Sequence, residues 1–456
     1  MDYSPLSDAD IQEMLNDIGV LNVDDLFSDV PNSILNPVLG LGSGLSELET
    51  INHLKALAEK NFVFTSHFCG AGIYNHYIPP VVQEICQRNE FYTSYTPYQA
   101  EISQGFLQAI YEYQTSICNL TAMDATNASV YDGATAVCES LIMARKISRK
   151  DKFLILQPFN PEYLRVIKTY AEATDYEIEF ADYDDYENKL NEGGYGGIVV
   201  QNPDFFGNLH DISELVGRVK KISKKLLVLY VCVESTSLGI LKRPGTMGVD
   251  IVCGEGQSLG LSMSFGGPTA GYIATTKRNM RRLPGRIVGK TKEIDGDREG
   301  YLLTLQAREQ HIRREKALSN ICSNEALCML AIQVYLSAMG YSGLRKVAVS
   351  CVKNINYLRN AIREIEGLII ENNTEPVYNE FLISIGAEKT ENLRSLCLFN
   401  SIAAPYRLSD ADKKQLVQGS ALKFEPSKEY FLVCSTELHD RKQLDGFVRI
   451  IKEAMK

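Results

Sequence analysis

Two tyrosines held apart by a threonine and a proline are the first residues in this sequence that could do chemistry, in the stretch Tyr95-Thr96-Pro97-Tyr98-Gln99-Ala100-Glu101. Proline fixes the backbone of that turn. The apolar residues Ile102, Phe106, Ile110, Tyr113 and Ile117 that follow are spaced for a helix. Glu101 then falls near the positive end of that helix. Hydroxyls pointed inward beside a carboxylate would face a substrate; the same residues pointed outward are a solvated surface, and composition leaves the two even. A second stretch, Ser129-Val130-Tyr131-Asp132-Gly133-Ala134-Thr135-Ala136, reads as a strand end running through glycine into a helix. Free N–H groups there, around Ala134 and Thr135, would suit a phosphate. A capped helix after a strand explains the same residues equally well.

Other chemistries find less support. His67, Cys69 and His76 lie close together in SHFCGAGIYNH, but glycines and aromatics surround them and no fourth ligand is evident. There is no H-E-x-x-H, no G-x-x-x-x-G-K and no G-x-G-x-x-G. We therefore expect no metal and no nucleotide held by the usual loops. Lys277, Arg278, Arg281, Arg282, Arg286, Lys290 and Lys292 put seven cations into 277–292 with no acid among them. A second basic stretch, Arg308, Arg313, Arg314 and Lys316, is tempered by Glu309 and Glu315. In a chain of formal charge −10 this excess is either a docking surface for an anionic group or acidic protein, or a loop kept soluble by charge.

These residues must be positioned by a folded body. The chain has 456 residues, 45% of them hydrophobic and 23% charged, which excludes disorder and fibrous repeats. At about 150 residues per domain it should hold roughly two to four units. The acidic balance argues against nucleic-acid binding. No apolar run reaches the ~18 residues of a bilayer span, and Met1–Asp10 lacks the pattern of a secretory signal. Eleven cysteines, an odd number without a C-x-x-C, read as free thiols in a reducing compartment. The expected location is cytoplasmic.

Helix signals open at Ser7, with Gly19 as the stop, and again at Ser46, so residues 1–60 read as an N-terminal arm with helices. From about residue 125, short apolar runs recur at Phe153–Leu156, Tyr176–Phe180, Gly197–Val200, Leu226–Val233, Val249–Cys253 and Ala270–Ala274. Amphipathic stretches such as Pro161–Ala171 and Ile212–Ile222 separate several of them. Such alternation predicts a mostly parallel sheet buried on both faces, within a large α/β domain over 61–325. Helices over Glu325–Met339 and Lys346–Ile365, then strands near Glu380–Ile385 and Tyr430–Cys434, predict a smaller α+β domain over 326–456.

YTPYQAEISQG, HFCGAGIYNHYIPP, NASVYDGATA, GEGQSLGLSMSFGGP, RRLPGRIVGKT and LTLQAREQHIRREKALSNIC stand in this order along the chain. On these motifs it resembles the P-protein family of the glycine cleavage system, and within it the subunit 1 type of the two-subunit glycine decarboxylase. The resemblance implies an aminotransferase-like fold, the fold type I of pyridoxal phosphate enzymes, with a large domain and a small C-terminal one. That cofactor is anchored by a lysine on a loop soon after a late strand. Here the corresponding stretch, Val249–Leu259, contains no lysine; Gln257 and Ser258 stand at the place, and a hydroxyl forms no imine. The run Leu227–Val233 also ends in Glu234 rather than the aspartate that pairs with the pyridinium nitrogen.

The implied picture is a subunit with a degenerate cofactor site at Gln257, Ser258, Ala134 and Thr135. A second subunit would carry pyridoxal phosphate, in a two-plus-two heterotetramer. Together they would decarboxylate glycine and pass the aminomethyl group to the lipoyl arm of the H-protein. Tyr95, Tyr98 and Glu101 are the expected catalytic residues, with Thr96, Gln99, Gly70, Gly72 and His76 lining the cleft toward the partner's cofactor. Arg281, Arg282 and Arg286 are the expected docking site for the carrier. Two other readings compete: a non-catalytic scaffold or regulatory subunit on a degenerate aminotransferase fold, and a stand-alone enzyme using Lys242 or Lys277. Lys242 precedes Pro244 and Gly245, too early for the anchoring loop.

Overall fold

A computed structural model of the chain describes residues 5–35, 37–38, 40–294, 296–371 and 376–456. Residues 1–4 of the start read above lie outside the described residues. Two compact units are present, Met1–Val63 and Phe64–Lys456. In the first, α1 (Asp8–Ile18) opens on a reciprocal cap in which Ser7 accepts from the Asp10 N–H and Asp10 accepts in return. It stops at Gly19, whose φ of +84° is left-handed backbone that glycine adopts without strain. The same cap, Ser46 with Glu49, opens α2 (Glu47–Ala58). The apolar side of α2, with Leu48, Ile51, Leu54 and Leu57, is exposed.

The second unit is built on a seven-stranded sheet. Its strands are β1 (Ala125–Thr126), β2 (Lys152–Leu156), β3 (Glu177–Ala181), β4 (Tyr195–Gln201), β5 (Leu227–Cys232), β6 (Ile251–Glu255) and β7 (Gly271–Thr275). The order is β1-β7-β6-β5-β4-β2-β3. The β3, β2, β4, β5 and β6 neighbours pair parallel, whereas β7 runs antiparallel to β6 and β1. Each predicted apolar run is a strand, with ends shifted by one or two residues.

Alternation along the strands divides the core. Leu154, Ile198, Val200, Val228, Tyr230 and Val252 point to one face, where α3 (Gln104–Thr121) packs Phe106, Ile110 and Tyr113 and α6 (Ile212–Ile222) packs Leu215 and Val219. Phe153, Ile155, Val199, Leu229, Val231 and Cys253 point to the other, against Val137 and Leu141 of α4 (Gly133–Ser148) and Leu164 and Ile167 of α5 (Pro161–Thr174). A parallel sheet covered on both faces leaves the loops beyond its strand ends as the place where a site can form.

Two predicted helices are one element, α7 (Ala326–Ile362), with left-handed Gly340 (φ +58°) marking a kink inside it. By length and composition α7 would also pass for a membrane span, contrary to the expectation from apolar runs. Its Met329, Ile332 and Tyr335 are instead buried in the large core, and that packing accounts for its apolar character. Beyond it, β8 (Leu368–Ile370), β9 (Glu380–Gly386), β10 (Tyr406–Arg407) and β11 (Lys428–Cys434) form an antiparallel sheet in the order β8-β9-β11-β10. Helices α8 (Thr390–Phe399) and α9 (Arg441–Ala454) supply Leu393, Leu444 and Phe447 to its core.

The segment leading into the site is tied to this smaller sheet region. Ser66 and His67 pair parallel with Ile402 and Ala403. Phe68 stacks on Phe447 with ring centroids 3.9 Å apart. Phe447→Ala removes that ring from a fully buried position. It should cost about 3–5 kcal/mol of stability, read as a lower urea midpoint; an unchanged midpoint would contradict this packing.

Candidate functional site

The C-terminal ends of β5 and β6, the first turn of α4 and the loop 68–77 meet in one buried polar cluster. Glu255, the last residue of β6, accepts from the Gly133 N–H at 2.8 Å, the Thr269 hydroxyl at 3.1 Å and the Gln257 N–H at 2.9 Å. Burial holds its carboxyl above the usual range. Asp132 accepts from the Thr135 N–H at 2.7 Å, so the first turn of α4 already has two carboxylates on its N–H groups. Gly133 is needed there because a Cβ would fall 2.2 Å from the Tyr163 hydroxyl.

Gln257 and Ser258 are each 1% exposed. Gln257 accepts from the Tyr74 N–H at 2.9 Å and donates to the carbonyls of Tyr74 and Leu261 at 3.0 and 2.8 Å. Ser258 Oγ accepts from the Ser235 N–H at 3.1 Å. Both act as internal clamps. Ala134 and Thr135 are buried within the first turn of α4.

Glu234, just past β5, accepts from the Thr236 N–H at 2.9 Å and faces His76 Nε2 at 3.2 Å. The other ring nitrogen, Nδ1, lies 2.7 Å from Glu437. Burial pulls the His76 pKa down, but Glu234, Cys351 and Glu437 more than offset it and leave it well above the usual histidine range. His76 is thus an imidazolium between two carboxylates. Cys351 donates to Glu437 at 3.5 Å, making His76, Cys351 and Glu437 a metal-like grouping among the described residues. This grouping does not include His67 or Cys69, which the sequence placed beside His76. Glu380 of β9 accepts from the Ala71 N–H at 2.6 Å and the Tyr74 hydroxyl at 2.8 Å, and burial pushes its pKa up to about 7. Gly70 passes so close that a Cβ would lie 2.1 Å from Glu380 Oε1; on Gly72 (φ +113°) it would lie 2.7 Å from Asn160 Nδ2. The structure places Gly70, Gly72 and His76 in this packed cluster, where each has a structural reason.

The tyrosine loop is a different environment. Tyr95 is 92% exposed, and Thr96, Gln99 and Glu101 are exposed with it. Ile102, expected on the buried helix face, lies before α3 and is 80% exposed. Tyr98 anchors the loop. Its hydroxyl meets Ser323 Oγ at 2.6 Å and Asn324 Oδ1 at 2.5 Å. Asn324 donates in turn to the Ala128 carbonyl at 3.1 Å, and the Glu325 N–H donates to Ser129 Oγ at 3.1 Å. The tyrosine loop, the segment before α7 and the residues leading to α4 are thereby joined.

Arg286 corrects a docking expectation. It lies over the Tyr98 ring at 4.7 Å, donates to the Cys322 carbonyl at 3.0 and 2.9 Å and pairs with Glu309 at 2.7 Å. With its side chain 14% exposed, it serves the fold rather than a carrier. Other members of the basic run also find acids: Arg278 with Asp250, Lys290 with Glu299 and Lys292 with Asp297. Arg281 and Arg282 remain exposed, without a carboxylate partner among the described residues. A cleft of about 770 Å3 elsewhere, lined by Lys242, Arg243, Tyr341 and Arg345, contains none of the predicted site residues.

Sequence reasoning missed Tyr74, Glu255, Asn324, Glu380 and Glu437. Glu380 and Glu255 had a readable signal, a carboxylate at the end of an apolar strand run. Glu437 had none, since its partner lies 361 residues away. All eleven cysteines are unpaired.

The chain matches the glycine cleavage system P-protein family over residues 1–412. It is 46% identical over 393 residues to a Desulforamulus reducens protein named "Probable glycine dehydrogenase (decarboxylating) subunit 1", covering 84% of this chain and 87% of that one. A Carboxydothermus hydrogenoformans protein of the same name is 41% identical over 464 residues, covering 99% of each. The crystal structure of a glycine decarboxylase (P-protein) of the glycine cleavage system, in inhibitor-bound form, superposes with a TM-score of 0.86 at 36% identity over 100% of both chains. An alanine–glyoxylate aminotransferase from Nostoc shares the fold, with a TM-score of 0.59 at 15% identity over 87% of this chain and 96% of that one. By these matches and by the aminotransferase-like α/β architecture, the chain belongs to the glycine cleavage system P-protein family.

Proposed function

We propose that this chain is the cofactor-free half of a two-subunit glycine decarboxylase. A partner subunit carries the pyridoxal phosphate and this chain completes the active site across their interface. The observation that carries the reading is the contrast between the filled C-terminal ends of β5 and β6 and an open tyrosine loop. At those strand ends the residues present do not fit the cofactor. Ser258 offers no amine and its hydroxyl is already bonded to Ser235. The Gly133 N–H that would meet a phosphate is taken by Glu255, and a second anion beside that carboxylate would be repelled. Glu234 is held by the His76 imidazolium.

On the partner, pyridoxal phosphate supplies the electron sink for loss of carbon dioxide from glycine. This chain's share is orientation and exclusion of water. Tyr98, fixed by Asn324 and Arg286, sets the loop; Tyr95, Thr96, Gln99 and Glu101 then stand exposed as the face presented to the partner. The Tyr95 hydroxyl can hold glycine's carboxylate or move a proton, and Glu101 can orient it. The exposed apolar side of α2 is further surface for a second subunit. The aminomethyl group passes to the lipoyl arm of the H-protein, whose approach Arg281 and Arg282 assist by charge. Two such pairs assemble in the cytoplasm, a reducing compartment that suits the unpaired thiols.

Mixing the chain alone with pyridoxal phosphate, reducing with borohydride and measuring intact mass should yield no single-site adduct. One adduct on one lysine would defeat the reading. In the reconstituted enzyme, Tyr95→Phe should slow exchange of carbon dioxide into glycine by about tenfold, equivalent to about 1.4 kcal/mol at the transition state; an unchanged rate removes Tyr95 from the mechanism. Charge reversal at Arg281 and Arg282 should raise the KM for the carrier several-fold, more at low salt, with kcat little changed; an unaltered KM excludes steering by these two residues.

A further inference from the structure

A cleft of about 290 Å3 opens between the helical turn Lys277–Arg282 and the segment 308–318. Arg282 donates to the Lys146 carbonyl at 2.9 Å, which sets the cleft beside the C-terminal turn of α4. Its lining is Arg281, Arg282, Arg308, Arg313, Lys316 and Leu318: five cations, one apolar residue and no acid. Among the described residues none of the five cations has a carboxylate within ion-pair distance. Arg282, Arg308 and Arg313 make bonds to the Lys146, Gly285 and Ala307 carbonyls instead. The nearby acid, Glu309, faces Arg286 at 2.7 Å and His311 at 3.6 Å.

Arg308 is the most constrained of the five. Its Nη2 donates to the Gly285 carbonyl at 2.7 Å, while its Nε is buried with no hydrogen-bond partner. A buried donor left unpaired is unfavourable, and a guanidinium cannot relieve this by giving up its proton at neutral pH. Burial pulls its pKa down to about 10, against the opposing effect of Glu309, which still leaves it charged. The charge, beside an open cleft and without a carboxylate partner among the described residues, calls for an anion.

We propose that this cleft binds the phosphate group of a small molecule. A single carboxylate has two oxygens and one charge, which one arginine fork satisfies. Four arginines and a lysine suit a tetrahedral dianion with several acceptor oxygens. The volume admits a phosphate with a short organic stem. The phosphate can be free in solution or carried by a group bound to the partner subunit, and the chemistry of recognition is the same.

Isothermal titration of the full chain with inorganic phosphate, against chloride at constant ionic strength, should show one saturable site. Arg281→Gln with Arg282→Gln, and separately Arg308→Gln, should weaken it by about tenfold or more. Should Arg308→Gln fail to fold, Arg313→Gln carries the same expectation from an exposed position. Repeating the titration on the assembled enzyme with its cofactor distinguishes the sources. Binding that persists supports a free phosphate, and binding that disappears on assembly supports one held by the partner. That second arm alone rests on the proposed partner; the first stands without it. No saturable phosphate site on the chain, or one unaltered by the substitutions, overturns the proposal.

Discussion

A buried imidazolium between two carboxylates is the interaction on which this structure turns. His76 belongs to the loop that follows the first short strand, Glu234 to the end of β5, and Glu437 to the turn after β11. One ring therefore ties the large sheet to the small one. Buried charges are costly alone and tolerable only as a complete set. This set is complete: Glu234 also takes Thr236, and Glu437 also takes the Tyr77 N–H at 2.7 Å. Removing any member would strand the others, which favours one arrangement of the two sheets over its neighbours.

Around that knot the molecule separates rigidity from reactivity. At the C-terminal ends of β5 and β6 the hydrogen-bonding capacity is directed inward, through Gln257 to Tyr74 and through Glu255 to α4. The tyrosine loop is the reverse. One tyrosine is locked into the fold and the other stands in solvent. An exposed group can be presented accurately only from a support that does not move.

Most of the architecture was legible because it rests on local pattern. Apolar runs of four to eight residues marked the strands, and serine–acid pairs marked the starts of α1 and α2. The helices read over Glu325–Met339 and Lys346–Ile365 are one helix kinked at Gly340, since flanking core contacts decide whether a helix resumes. The charge run 277–292 was legible only in part for a related reason. Its composition is local, but Asp250, Glu299 and Glu309, which pair with three of its members, sit elsewhere in the sequence. The missing lysine was visible directly. That Glu255 fills the adjoining helix terminus was not, because nothing in the spacing of residues 133 and 255 tells that they meet.

That contact also bears on whether the chain could be given a cofactor lysine. A lysine placed at position 258 would displace the hydroxyl bonded to Ser235 and meet a helix end with a carboxylate already on it. Behind that end stands Tyr163, and the acid at the end of β5 is bonded to a histidine. Accommodating a cofactor there would need several changes at once, each unfavourable until the rest had occurred. The packing is in that sense a ratchet: each contact that steadies the fold also closes a way by which a cofactor could enter.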